Sequence, residues 1–229
     1  EMCIRDRANY EIIAFYKDSE EEITVLANKI GILYNLNVRF EKLPATAASI
    51  VTLLSEKTVL CILNRDTLKF GKLLKYAYEI NKPMLLVRAS YPEDSYNHFN
   101  IPVGYLQENK EKVVWANFFQ RYNTKATIEL TIPQEKDEGI AHLVDNNVSF
   151  IENIFNNSNA RYTKSFFKGS FEHILKNTFI QTDNSIVFIM RPFRLFPFYT
   201  PLNLRLFKRY SHTPTLLIPR DDALYIPCH

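Results

Sequence analysis

Residues 58–63, TVLCIL, and 83–88, PMLLVR, return towards the end of the chain as 186–190, IVFIM, and 214–219, PTLLIP. Each pair consists of a short continuous apolar run, a stretch of helical period, and a second apolar run entered through a proline. Runs that are apolar at every position suit parallel strands covered on both faces, whereas a half-exposed strand would alternate. The correspondence makes internal duplication the economical reading. The expected fold class is α/β, with two tandem open parallel-sheet units.

Working outward, the same alternation of strand-like and helix-like runs covers most of the chain. In the first unit, residues 10–16 and 38–43 read as strands. Ser19 and Glu22 form a capping-box pattern at the start of the helix between them. A short helix over 45–55, the strand 58–63, a helix over 67–80 and the strand 84–88 complete it. Strands are expected at 101–106, 126–131, 161–167, 185–190 and 215–218 in the second unit, with helices at 109–122, 138–156, 171–180 and 202–210. On the longest helix Ile140, Val144, Val148, Ile151 and Phe155 share one face. The expected boundaries are 8–89 for the first unit, 90–99 for a linker rich in turn residues, 100–220 for the second unit and 221–229 for a tail. The opening run EMCIRDR resembles translated sequencing-adapter read-through and is excluded from the fold reading. Because the first unit lacks one strand and helix at its front relative to the second, it is expected to be truncated at its N-terminus.

Composition narrows the function classes. The chain has 229 residues, 46% hydrophobic and 23% charged, with a formal net charge of +3. That balance is globular and too weakly basic to imply nucleic-acid binding by itself. Cys3, Cys61 and Cys228 are far apart, which argues for a reducing compartment and against a structural metal site. No apolar run approaches the ~20 residues of a membrane span. A cytoplasmic protein is expected, with no membrane contact in this fragment.

The order of these elements resembles the universal stress protein family, especially the tandem forms of Bacteroidetes-like bacteria. The resemblance is carried by Ile101-Pro102-Val103, by Lys112 to Phe119 with its central Ala116, by Phe167-Lys168-Gly169 followed by Ile174, by Asn184-Ser185-Ile186-Val187, and by Thr213 to Pro219. The tail Arg220-Asp221-Asp222 before Leu224-Tyr225 is similar to a common family ending. Family members often dimerise through the last strand, so the resemblance implies that the strands at 84–88 and 215–218 lie together. ATP-binding members use an aspartate just after the first strand and a G-x-x-G-x9-G-[ST] loop after the fourth. Glycines there let backbone N–H groups reach phosphate. Here the aspartate position is Gly104, and the loop 191–201, RPFRLFPFYTP, has no glycine and three prolines, which remove donors and fix φ. In the first unit the loop after Leu63 is Asn64-Arg65-Asp66-Thr67, and its only nearby glycine, Gly71, lies inside a helix. The resemblance thus implies a degenerate nucleotide site and no cofactor.

The remaining candidates for chemistry read as structural. His142, His173 and His212 have no partner at metal-ligand spacing. Cys61 sits in an apolar strand as a small hydrophobe. Ser170, after Gly169, suits an N-cap rather than a triad. The run Asp18, Glu20, Glu21 and Glu22 suits a helix N-terminus.

One segment stands out. From Asn184 to Arg220 there is no acidic residue, while Arg191, Arg194, Arg205, Lys208, Arg209 and Arg220 interleave with Phe193, Phe196, Phe198, Tyr199, Phe207 and Tyr210. The first five of these cations form the candidate site for an anion or an acidic partner. The alternative is a solvated basic helix beside an aromatic loop that fills the vacated cleft. The expected function is a non-catalytic regulatory or binding module, acting through a protein partner or a second copy. A nucleotide-binding stress protein and the cytoplasmic regulatory region of a longer transporter chain are the alternatives.

Overall fold

The computed structural model describes residues 11–16, 24–25, 28, 37–42, 58–64, 80, 82–87, 96–105, 109–169, 171–181, 185–190 and 213–219. The chain divides into two compact units, Glu1–Ser55 with Ile226–His229, and Glu56–Tyr225. In the first, β1 (Glu11–Tyr16) and β2 (Asn37–Lys42) pair in parallel from Glu11↔Asn37 to Tyr16↔Lys42. Parallel neighbours need a crossover between them. The expected helix from Ser19 with its acidic run falls largely on residues outside those described.

The second unit holds seven strands: β3 (Cys61–Asn64), β4 (Met84–Val87), β5 (His98–Pro102), β6 (Thr127–Gln134), β7 (Tyr162–Lys168), β8 (Ile186–Met190) and β9 (Thr215–Ile218). Their order is β3-β4-β9-β8-β5-β6-β7, and every neighbouring pair is parallel except β4 with β9. Two tandem open parallel-sheet units are expected from the sequence; the seven strands of this unit instead join into one mixed sheet, and β1 with β2 into a two-stranded one. The join is the contact expected between the two repeated runs. It is symmetric about Leu85↔Leu216, with Met84↔Leu217 and Leu86↔Thr215 on either side.

Three described helices connect β5 to β8: α1 (Asn109–Tyr122), α2 (Glu138–Asn157) and α3 (Phe171–Gln181). The steps β5–α1–β6 and β6–α2–β7 run one way across the sheet, and β7–α3–β8 runs back. Right-handed crossovers therefore put α1 and α2 on one face and α3 on the other. Under α1 and α2 lies an apolar layer of Phe99, Ile101, Leu130, Phe188, Leu216 and Ile218. Val144, Val148, Ile151 and Phe155 of α2 are buried against it, as the helical spacing predicts. The rings of Phe99, Phe119 and Phe188 pack with centroids 5.5–6.0 Å apart.

The caps of α2 explain its length. The Asp137 side chain accepts from the Ile140 N–H at 2.9 Å. At the other end Asn159 takes φ 54°, and the Ala160 N–H reaches back to the Phe155 carbonyl at 2.9 Å. Asparagine here takes the left-handed position that glycine usually fills in such a stop.

Strand β5 begins at His98, three residues earlier than the pattern from Ile101 suggests. Phe99 and Asn100 are drawn into the ladder by partners on both sides, Ile128 and Glu129 in β6 and Ile186 and Val187 in β8. On the α3 face Asn100 brings a polar group into the middle of the sheet, and it is satisfied there. Its Nδ2 donates to Glu129 Oε2 at 3.2 Å, its Oδ1 accepts from Thr131 Oγ1 at 2.9 Å, and Ser165 Oγ donates to Glu129 Oε1 at 2.5 Å.

Because Leu216 is fully buried where β4 meets β9, Leu216→Ala is expected to lower stability by about 2–5 kcal/mol in urea unfolding.

Candidate functional site

In an open parallel sheet the ligand crevice forms beyond the carboxyl ends of the strands where the order reverses. Here the reversal lies between β5 and β8, so the place to examine is the chain after Pro102 and after Met190. Val103 continues the ladder, its N–H donating to the Thr131 carbonyl at 2.9 Å. Gly104 follows. A Cβ built there would lie 3.3 Å from the Phe171 ring, tighter than ordinary contact, so the aromatic already occupies the space a larger residue would need.

Two carbonyls at this strand end are capped by side chains from the covering helices. Lys112 of α1 sends its Nζ to the Pro102 carbonyl at 2.5 Å, with the Phe171 ring centroid 5.9 Å away. Asn147 of α2 donates from Nδ2 to the Gly104 carbonyl at 2.8 Å. Lys112 is only 3% exposed. A buried ammonium is costly unless hydrogen-bonded, and the carbonyl together with the ring face offsets part of that cost. Phe171 is itself fixed, because its N–H donates to Glu135 Oε1 at 3.0 Å. A carboxylate at the first turn of α3 also complements the helix dipole. Just before it, Gly169 has φ 120°, which only glycine adopts without strain.

This arrangement can orient and exclude, but the described groups contain no activated nucleophile. Burial pushes the Cys61 thiol up to about 11, so it stays protonated at neutral pH and is a poor nucleophile. His142 is exposed and bonded to Asn146 at 3.2 Å, while His173 is exposed beside Gly169. Among the described residues no three His, Cys, Asp or Glu side chains converge as metal ligands. No helix of the described residues is long and apolar enough to cross a membrane.

The candidate cations Arg191, Arg194, Arg205, Lys208 and Arg209 all lie outside the described residues, as do Phe193, Phe196 and Phe198. So do Ser170, His212, Cys3 and Cys228. Sequence reasoning missed Lys112, Asn147 and Phe171 as members of the strand-end cluster. One signal was available for Lys112: it falls on the buried stripe of α1, with Val113, Ala116 and Gln120. A polar residue on such a stripe has a specific partner far more often than not. Gln120 obeys the same rule, donating to the carbonyls of Ala126 and Arg161 and accepting from the Arg161 N–H.

Solved structures share the arrangement of this sheet and its helices. A universal stress protein from Archaeoglobus fulgidus is similar with a TM-score of 0.56 at 11% identity, over 93% of this chain and 87% of that one. A putative universal stress protein from Pseudomonas aeruginosa gives 0.65 at 12% identity, over 95% and 85%. The chain has the universal-stress-protein fold. A functionally unknown protein, also from Pseudomonas aeruginosa, matches with 0.60 at 11% identity, over 93% and 82%. No protein-family model matches the sequence, and no curated protein does. At identities this low the fold is shared while the site must be argued from its own residues.

If Phe171 holds the space beside Gly104, Gly104→Ala is expected to cost roughly 1–3 kcal/mol through overpacking. A double-mutant cycle with Phe171→Ala, read by urea unfolding, should return a coupling of about 0.5–3 kcal/mol, because the smaller neighbour admits the methyl. Strict additivity would mean that the ring does not hold that space.

Proposed function

We propose that the chain is a non-catalytic regulatory or binding module of the universal stress protein type, and that it has lost the usual ATP site. The observation that carries this reading is Gly104 under the Phe171 ring at the β5 end, where ATP-binding members of the family place an aspartate. The two strand-end carbonyls bound by Lys112 and Asn147 support it, since protein groups already occupy the polar positions of the crevice. The loop 191–201 adds the absence of glycine and three prolines.

The reading also takes the chain as a tandem pair that makes internally the last-strand contact by which separate family members dimerise. Two features support the duplication. The β4–β9 ladder is symmetric, and the Cys61 N–H bonds the Pro83 carbonyl at the same 2.9 Å as the Val187 N–H bonds that of Pro214. Pairing the two strands protects edges that would otherwise invite aggregation.

Millimolar ATP with magnesium is expected to leave the melting temperature unchanged. Ligand at about a hundred times its dissociation constant would add about 2.7 kcal/mol, or roughly 5–10 °C for a chain of this size. A saturable shift of that order would overturn the proposed loss and favour a nucleotide-binding protein of altered geometry.

For the basic segment we propose an anion or acidic-partner site formed by Arg191 and Arg194 with Arg205, Lys208 and Arg209. Guanidinium groups bind sulfate, phosphate and carboxylate through charge-assisted hydrogen bonds. Sulfate titrated by calorimetry at low ionic strength is expected to bind, to weaken as sodium chloride is raised, and to be lost in the Arg191→Gln, Arg194→Gln double variant. Unchanged binding in that variant would remove these two residues from the site.

A further inference from the structure

Both edges of β9 are taken within the chain, by β8 on one side and β4 on the other. At the far end of the same sheet lies β7, and no described strand pairs with its outer edge. The edge is seven residues long, Tyr162–Lys168, and reads YTKSFFK. Alternation turns Tyr162, Lys164, Phe166 and Lys168 to one face of the sheet and Thr163, Ser165 and Phe167 to the other. The first face is that of α2. The Tyr162 hydroxyl bonds Glu152 at 3.3 Å and Asn156 at 3.1 Å, and Lys164 Nζ meets Glu152 at 2.7 Å. The second is the α3 face, where Ser165 bonds Glu129. α2 thus covers Tyr162 in part, while Phe166, two pairs further along, is 57% exposed.

An edge strand with an uncovered aromatic offers a template for another strand, and lysines on the edge select which strands can pair with it. The backbone fixes how. The Ile128 N–H bonds the Arg161 carbonyl at 3.1 Å, so Arg161 turns its backbone towards β6, and the alternation of a parallel ladder turns that of Tyr162, Lys164, Phe166 and Lys168 outwards. A two-fold axis normal to the sheet would pair two copies of this edge antiparallel. Aligning all seven residues then puts Ser165 opposite itself, with Lys164 against Phe166, Tyr162 against Lys168 and Thr163 against Phe167. Outward residues meet outward residues, as an antiparallel ladder requires. No like charges face each other, and each lysine stands beside a ring, which adds a cation–π attraction. Moving the centre one residue either way would set Lys164 against itself or against Lys168.

We propose that the outer edge of β7 is a self-association surface, and that its occupant is the β7 edge of a second copy of this chain, antiparallel about Ser165. The charge pattern selects this occupant, because the copy itself supplies rings opposite both lysines of the edge. The surface is separate from the β4–β9 seam and does not depend on the chain being a tandem pair.

Sedimentation velocity of the 229-residue chain, from low micromolar to submillimolar concentration, is expected to show the mass doubling as concentration rises. Phe166→Lys sets a lysine against Lys164 at two places in the dimer and is expected to weaken it about tenfold or more. Phe166→Glu sets a carboxylate against the same lysines and is expected to keep a dimer that loosens as sodium chloride is raised. At the dilute end both variants should melt within about two degrees of their parent, since position 166 is exposed in the single chain. Mild oxidation of Ser165→Cys is expected to link two chains at position 165, because a non-hydrogen-bonded antiparallel pair lies within disulfide range. The parent chain, with its own Cys3, Cys61 and Cys228, is the control. A single chain at every concentration would overturn the proposal, as would a dimer that Phe166→Lys leaves intact. Equal loss of the dimer in the lysine and glutamate variants would overturn the register about Ser165.

Discussion

Four-residue strands rarely persist alone, since ordering each residue costs roughly 1–2 kcal/mol of backbone entropy. β4 and β9 are both that short, and the residues that meet between them are buried. Their antiparallel pairing turns two sheet edges into one interior seam. Through it β3 and β4 share a sheet with β5 to β9, and Leu85 belongs to the same apolar cluster as Phe188 and Leu216.

The second governing constraint is polar. A parallel sheet covered on both faces leaves little water for side-chain donors or acceptors, so each must find a protein partner. The ladder of Asn100, Glu129, Thr131 and Ser165 meets that demand on the α3 face. Lys112 and Asn147 meet it at the strand ends. The outcome differs between the two places. Within the sheet the partners are side chains of neighbouring strands, while at the reversal of strand order helix side chains bond the carbonyls of Pro102 and Gly104. Phe171, whose N–H is bonded to Glu135, sets its ring beside Gly104.

Much of this was legible in the residues. The apolar runs at 84–87 and 215–218, the helix beginning at Asn109 and the buried face of α2 all follow from periodicity, because each is set by residues close in sequence. The start of β5 was less legible, since His98 and Asn100 are poor strand formers that the ladder recruits from both sides. The strand-end cluster was less legible still. Lys112 reads as an ordinary helix lysine until Pro102 is brought beneath it, and Phe171 as a helix start until its ring is placed where a Cβ on Gly104 would stand.

What the sequence by itself determined is the α/β class, the apolar strands at 84–87 and 215–218, and a segment 191–201 with three prolines and no glycine. These are local patterns, and local sterics or hydrophobic period suffice to read them. Only the tertiary structure decided that β4 and β9 pair to give one mixed sheet of seven strands, that Phe171 takes the space beside Gly104, and that Ile62 of β3 is exposed while Phe188 of β8 is buried. Each depends on contacts between residues far apart in the chain, whose geometry is set by strand pairing and crossover handedness rather than by neighbours in sequence.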